Sequence, residues 1–302
     1  MSILVVGSIA LDSVKTPCGE TKEALGGSAL YFSAAASFFA KVKVVGVVGE
    51  DFPHHKVRFL EERGVNLEGL EIRKGKTFRW VGCYEHNLNE AKTLSTCLNV
   101  FKDFNPKLAK GYEKNDFVFL ANIDPVLQRK VLTKVEKPKA VVCDTMNFWI
   151  KGKRKELIKT LKDVDIMILN DAEVKEFAGE PNLIKAAKWI RSLGPKIVVV
   201  KKGEHGALMF YSQDLIFSAP AYPLESVSDP TGAGDSFAGG FVGCLARLKE
   251  MTESNLRKAV IYGSVMASFC VEKFSLERLK TLTSEEINQR FREFGRLVHF
   301  GR

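Results

Sequence analysis

An aspartate at the mouth of a glycine-rich turn is the feature of this chain best suited to chemistry. The stretch reads Ser228-Asp-Pro-Thr-Gly-Ala-Gly-Asp-Ser-Phe-Ala-Gly-Gly-Phe-Val242. A proline-containing turn leads into Gly232-Ala233-Gly234, and the small residues that follow predict a helix starting near Asp235. Glycine lets the backbone approach a ligand closely and take torsions other residues avoid. The first N–H groups of a helix have no partner inside it, and the helix dipole favours negative charge at that end. The pattern reads as an anion cradle with a carboxylate beside it. The plainer reading of Asp235 is a helix N-cap, a frequent use of aspartate. A cap does not account for the glycines before it or for Gly239-Gly240 one turn later, which imply a closely packed ligand or backbone. Next to a bound phosphate, such a carboxylate takes the proton from an attacking hydroxyl. The amides then hold the charge that develops on the phosphoryl oxygens.

Strand-like and helix-like runs alternate along most of the chain and supply a scaffold for that turn. Apolar runs at 3–6, 42–48, 117–120, 140–143, 166–169 and 197–200 read as strands. Helical patterns fall at 28–39, 54–63, 125–135, 156–161, 172–177 and 183–193, and after Gly232 at 236–248, 255–271 and 284–298. Strands spaced by helices imply a parallel sheet covered on both faces. Residues 10–25 and 69–103 break the rhythm with mixed polar strands. A small antiparallel sheet acting as a lid over a cleft would explain both. A plain edge extension of the main sheet is the other reading, and periodicity does not choose between them. No repeat or interdomain linker interrupts residues 1–302, which read as one α/β domain.

The run from Asp229 to Phe241 resembles the C-terminal signature of the PfkB (ribokinase-like) carbohydrate kinases. Other stretches resemble that family in the same order: Gly7-Ser-Ile-Ala-Leu-Asp12, Gly26-Gly27, Val45-Gly-Val-Val-Gly-Glu-Asp-Phe52, Gly64-Val65-Asn66, Asn170-Asp-Ala-Glu173 and Lys201-Lys-Gly-Glu-His-Gly206. The resemblance implies a three-layer α/β/α kinase with a β lid that uses ATP and Mg²⁺. It makes Asp235 the base and the amides of Gly232, Ala233 and Gly234 the anion hole. Asn170 and Glu173 would organise Mg²⁺ and the ATP phosphates through water, although alone they read as a helix cap and a surface glutamate. Lys201, Gly203, Gly206 and Thr231 would border the nucleotide. Asp12, Gly26 and Gly27 would hold substrate hydroxyls, and backbone carbonyls near Asp229 and Thr231 would take a monovalent cation such as K⁺. The family also implies pairing of lids into a homodimer.

Two positions depart from the family pattern. An aromatic, Tyr31, stands where the family places an asparagine after the di-glycine. The departure implies a flatter and less polar substrate face to which Asn147, Phe148 and Trp149 would add, while for each aromatic taken alone a place in the buried core is the plainer reading. Glu272-Lys-Phe-Ser275 lacks a glycine common in that loop. The acceptor classes compatible with these residues are a sugar, a nucleoside and a cyclitol such as inositol. A non-catalytic binding protein on the same scaffold is the rival from outside enzymology, and the intact Asp235 turn argues against it.

Bulk properties exclude several other classes. The 302 residues carry 45 basic and 36 acidic side chains, a net charge of +9 spread along the chain rather than blocked. With no RNA-binding aromatic motif and no zinc-finger spacing, a nucleic-acid partner is not expected. The six cysteines form no C-x-x-C pair, which fits a reducing compartment. The opening residues pass straight into a strand and no apolar run reaches the ~18 residues of a membrane helix, so a cytoplasmic protein is predicted. Residues 69–77 imitate a phosphate-binding loop, but five residues separate its glycines and nothing helical follows. The zinc-protease, nucleophile-elbow and dinucleotide motifs are absent.

Overall fold

In β1 (Ser2–Val6), Ile3 and Val5 face one side while Leu4 and Val6 face the other, and all four are fully buried. Successive strand side chains point to opposite faces, so a strand apolar at every position needs cover on both. The computed structural model, which describes residues 1–212 and 215–299, supplies that cover. After β1 come β2 (Ala10–Thr16), β3 (Gly19–Gly26), α1 (Ser28–Ala36), β4 (Lys41–Gly49), α2 (Arg58–Glu62), β5 (Asn66–Arg73), β6 (Phe78–Cys83) and β7 (Lys92–Cys97). The middle of the chain forms β8 (Phe117–Leu120), α3 (Pro125–Leu132), β9 (Ala140–Asp144), α4 (Asn147–Gly152), α5 (Arg154–Leu161), β10 (Ile166–Asn170), α6 (Asp171–Ala178), α7 (Leu183–Ser192) and β11 (Ile197–Lys201). The hairpin β12 (Ala207–Tyr211) and β13 (Leu215–Ala219) precedes α8 (Ala233–Leu248), α9 (Glu253–Cys270), α10 (Glu277–Thr281) and α11 (Ser284–Val298).

The main sheet has nine strands in the order β13-β12-β11-β10-β9-β8-β1-β4-β5, parallel except at β11/β12 and β12/β13. One face packs on Phe237 and Phe241 of α8, Val260 and Val265 of α9 and Phe294 of α11. The other packs on Val131 of α3, Leu157 of α5, Phe177 of α6 and Ile190 of α7. This is the expected three-layer α/β/α arrangement with a mostly parallel sheet. From β1 the chain steps outward to β4 and β5, and later from β8 it steps the opposite way. The strand order thus reverses between β1 and β8, and the carboxyl ends of strands at such a reversal are the usual binding place in open α/β sheets.

Gly239 and Gly240 serve helix packing rather than a ligand. A Cβ on Gly239 would stand 2.4 Å from the Phe32 carbonyl oxygen, and one on Gly240 2.5 Å from that of Tyr262. Their bare backbone lets α8 lie directly against α1 and α9.

The lid is a separate four-stranded sheet, β3-β2-β6-β7. It differs from expectation in two ways. It is mixed rather than antiparallel, because β2 and β6 run parallel. It also begins later than residue 69: β5 pairs in parallel with β4 at the edge of the main sheet, so only the strands from Phe78 onward join β2 and β3. Polar residues along β5 reflect its edge position, half-buried with one side unpaired. The helical pattern at 54–63 divides into a 3₁₀ turn, His54–Val57, and the short α2.

Candidate active site

The anion loop is shaped by Asp229, which is 1% exposed. One of its carboxylate oxygens accepts the Thr231 N–H at 2.9 Å and the other the Ser275 N–H at 3.1 Å. These bonds fold the Pro230 turn back on the 271–276 loop. Gly232 then takes φ +77°, in the left-handed region, with the Tyr31 ring where a Cβ would be, 2.3 Å away. The N–H of Ala233 donates to the Pro230 carbonyl at 3.2 Å, so it is not free for an anion, contrary to the sequence expectation. Among the described residues the N–H groups of Gly232 and Gly234 have no acceptor. They stand at the start of a sixteen-residue helix whose dipole favours an anion there.

Asp235 sits half-buried in the first turn of α8, inside a charge cluster drawn from four carboxyl-edge elements. Lys201 ends β11, Asp144 ends β9, and Glu173 lies in the first turn of α6. The Lys201 Nζ is 3.3 Å from Asp144 Oδ2. Burial, then the Asp144 charge, pushes the Asp235 carboxyl up to about 7, with Lys201 and its own backbone N–H pulling the other way. Glu173 is likewise raised to about 7 by burial and by Asp144, against Lys201 and the Asn170 N–H. Burial works against the Lys201 charge, but Asp144, Glu173 and Asp235 together outweigh it and hold the ammonium above the usual lysine range.

Asn170 and Glu173 form a reciprocal capping box. Asn170 Oδ1 accepts the Glu173 N–H at 2.7 Å, and Glu173 Oε2 accepts the Asn170 N–H at 2.8 Å. The Asn170 side-chain oxygen thus serves the backbone as a cap. Glu173 Oε1 is left over, in a side chain only 8% exposed. Among the described residues no three acidic, cysteine or histidine side chains form a ready metal cage. A buried carboxylate with a spare oxygen, facing Asp144 and Asp235, does fit Mg²⁺, which keeps waters and takes one or two carboxylates plus substrate phosphates.

On the lid side, Asp12 in β2 is 6% exposed, and burial raises it to about 7 against the Gly27 N–H. Gly26 passes so close that a Cβ would stand 1.9 Å from Asp12 Oδ2, and Gly27, at φ +92°, would run into the Ser8 carbonyl at 2.5 Å. The di-glycine is what lets β3 and α1 close over this carboxylate. Tyr31 is only 1% exposed. Its ring supports the anion loop from beneath at Gly232, so it offers no open stacking face. Asn147 is exposed on the first turn of α4, beside Phe148 at 64% exposure. The lid is bonded to the anion loop: Thr16 Oγ1 donates to the Ser228 carbonyl at 2.8 Å, and the Tyr84 hydroxyl lies 3.4 Å from Thr231 Oγ1.

Gly203 and Gly206, at φ +54° and +81°, make the tight turn between β11 and β12. A Cβ on Gly203 would stand 1.7 Å from Asn89 Oδ1, so the β6–β7 loop of the lid reaches across to this turn. The structure therefore brings Asp235, Gly232, Gly234, Glu173 and Lys201 to one place, with Asp12 and the di-glycine on the lid side. Asp144 was not anticipated as part of the cluster. An aspartate ending an apolar strand reads as an ordinary turn residue, and only its pairing with Lys201, 57 positions away, marks it.

The pfkB family carbohydrate kinase model matches residues 2–281. The chain belongs to the PfkB family. It is therefore a kinase, a phosphotransferase with an alcohol acceptor. A cytidine kinase of Thermococcus kodakarensis is 27% identical over 257 residues, covering 84% of this chain and 91% of that protein. The crystal structure of a nucleoside kinase from Methanocaldococcus jannaschii superimposes with a TM-score of 0.76 at 21% identity, covering 97% of this chain and 98% of that one. An E. coli ribokinase II structure in complex with ATP and Mg²⁺ gives 0.78 at 18% identity, covering 97% of this chain and 99% of that one. At these identities the structural matches speak for the fold, which the family model places on a kinase.

Proposed function

We propose that this PfkB kinase transfers the γ-phosphoryl group of ATP to a ribosyl hydroxyl of a nucleoside, with Asp235 as the base. The observation that carries the reading is the half-buried Asp235 carboxylate beside the free N–H groups of Gly232 and Gly234. The terminal phosphate docks on those amides with its acceptor-facing side toward Asp235. The acceptor hydroxyl lies between carboxylate and phosphorus, positioned from the lid side by Asp12 and the backbone of Gly26 and Gly27. Asp235 takes the proton as the oxygen attacks in line. Lys201 and the Gly203–Gly206 turn border the nucleotide. Glu173 would hold Mg²⁺ through water, and the bound ion would neutralise phosphate charge.

One observation favours a nucleoside over a free sugar. A cytidine kinase and a nucleoside kinase match over 91% and 90% of their own length at 27% and 25% identity, against 80% or less for the sugar kinases the chain also resembles. With both Asp229 oxygens spent on backbone N–H groups, a monovalent cation at this loop would rest on main-chain carbonyls. The exposed strand β7 is the surface through which a lid-to-lid homodimer would form. Six free cysteines fit a cytoplasmic setting, and among the described residues no helix is long and apolar enough to cross a membrane.

The test is ADP release with Mg·ATP over a panel of ribonucleosides, free sugars and cyclitols. The reading expects cytidine or another ribonucleoside to give the highest kcat/KM. Turnover confined to free sugars or cyclitols would move the acceptor class, and binding without turnover on any acceptor would count against the enzyme.

A further inference from the structure

Resting on that phosphotransfer reading, we propose that Lys201 is a second catalytic residue, its ammonium binding the transferring phosphoryl group beside the Gly234 amide, and that Asp144 is the residue that positions it. Gly234 supplies the first observation. A Cβ there would lie 2.8 Å from the Lys201 Nζ, so the missing side chain is what admits the ammonium to the first turn of α8. An anion held by the free Gly232 and Gly234 N–H groups is then also within reach of Nζ. Lys201 reaches this point from the end of β11, with its side chain 17% exposed. A cation in so enclosed a place acts on phosphoryl charge far more strongly than one in water.

Asp144 supplies the second observation. Its Oδ1 accepts the Thr145 N–H at 2.7 Å, which fixes the carboxylate, while Oδ2 meets Nζ at 3.3 Å. Charge-assisted N–H···O bonds close at about 2.7–2.9 Å, so this contact aims the ammonium without locking it. The aim matters because Asp235 and Glu173 also attract Lys201. A lysine without Asp144 would settle on one of those carboxylates, and on Asp235 it would quench the base. During transfer, the acceptor O–H bond breaks toward Asp235, the acceptor O–P bond forms, and the P–O bond to ADP breaks with its electron pair going to the β-phosphate oxygen. Lys201 stays protonated throughout and donates to a non-bridging oxygen.

Calorimetric binding of Mg·AMP-PNP and Mg·ADP, with kcat on the preferred acceptor, tests this for Lys201→Met, Lys201→Arg, Asp144→Asn and the Lys201→Met/Asp144→Asn double variant. Lys201→Met is expected to weaken AMP-PNP binding about tenfold, leave ADP within about twofold and lower kcat about 100-fold or more. Lys201→Arg should recover part of that loss. Asp144→Asn should lower kcat about tenfold in the parent and add almost nothing in the Lys201→Met background, since two residues acting through one contact are not additive. Should Lys201→Met fold poorly, Gly234→Ala displaces the ammonium without removing its charge and should show the same AMP-PNP-against-ADP split. Equal weakening of both nucleotides, unchanged nucleotide binding, or a full Asp144→Asn penalty in the Lys201→Met background would overturn the proposal. None of these results depends on Asp235, whose own substitution tests the underlying reading.

Discussion

At the residue scale, the decisive property is how much charge the site confines. The Asp235 carboxyl is raised to about 7 by burial and by Asp144. A base must be deprotonated to accept a proton, so kcat/KM should rise with pH up to about 7 and then level off. A flat profile from pH 5.5 to 8 would show that no such group limits the reaction. Gly26→Ala puts a methyl 1.9 Å from Asp12 Oδ2, and the carboxylate must move. The expected outcome is a rise in acceptor KM of about tenfold or more with nucleotide binding nearly unchanged, measured by steady-state kinetics. The signature residues were legible because glycines before an aspartate have few other uses. Asp144 was not, because its partner is distant in sequence. Asn170 shows a third case: the structure gives it the cap role that the residue alone suggests, and its proposed part at the nucleotide rests on the family pattern.

At the element scale, each residue proposed for catalysis sits at a carboxyl end of a strand or at the first turn of a helix. Six of the seven parallel strands were readable as apolar runs because both their faces are buried; β5, half-buried at the sheet edge, was not. The hairpin β12–β13 and the short α4 were not read out: one follows a glycine turn without a helix, and the other is too short to show a period. The parallel pairing of β2 with β6 joins segments some 68 residues apart, Ala10 with Phe78, and no local pattern encodes it. That lid is tied to the anion loop through Thr16. Thr16→Val keeps the shape and removes the hydroxyl bond, so lid closure should loosen. We expect ATP hydrolysis without acceptor to rise several-fold, measured as ADP release, because an unclosed site admits water. Asn170→Ala removes the α6 cap and should cost about 1 kcal/mol of stability in denaturant unfolding.

At the scale of the whole molecule, fold stability and function draw on the same buried carboxyls. Asp12 and Asp235 rise from 3.8 to about 7 on folding. Between those values the folded chain holds protons that the unfolded chain has released. The stabilisation is thus fully present below about pH 4 and lost as pH rises toward 7. Asp51, Glu156 and Glu286 are lowered instead, and their contribution is lost only in acid below the usual carboxylate range. From pH 5 to pH 8 the ligand-free protein should therefore lose thermal stability, and Asp12→Asn should flatten that slope. Of those carboxyls, Asp235 is the one proposed to act as base. Replacing it with asparagine keeps size and packing while removing the base. The account predicts that Asp235→Asn binds Mg·AMP-PNP within a few-fold of the parent while kcat falls by roughly 10²–10⁴. A kcat within tenfold of the parent would contradict it.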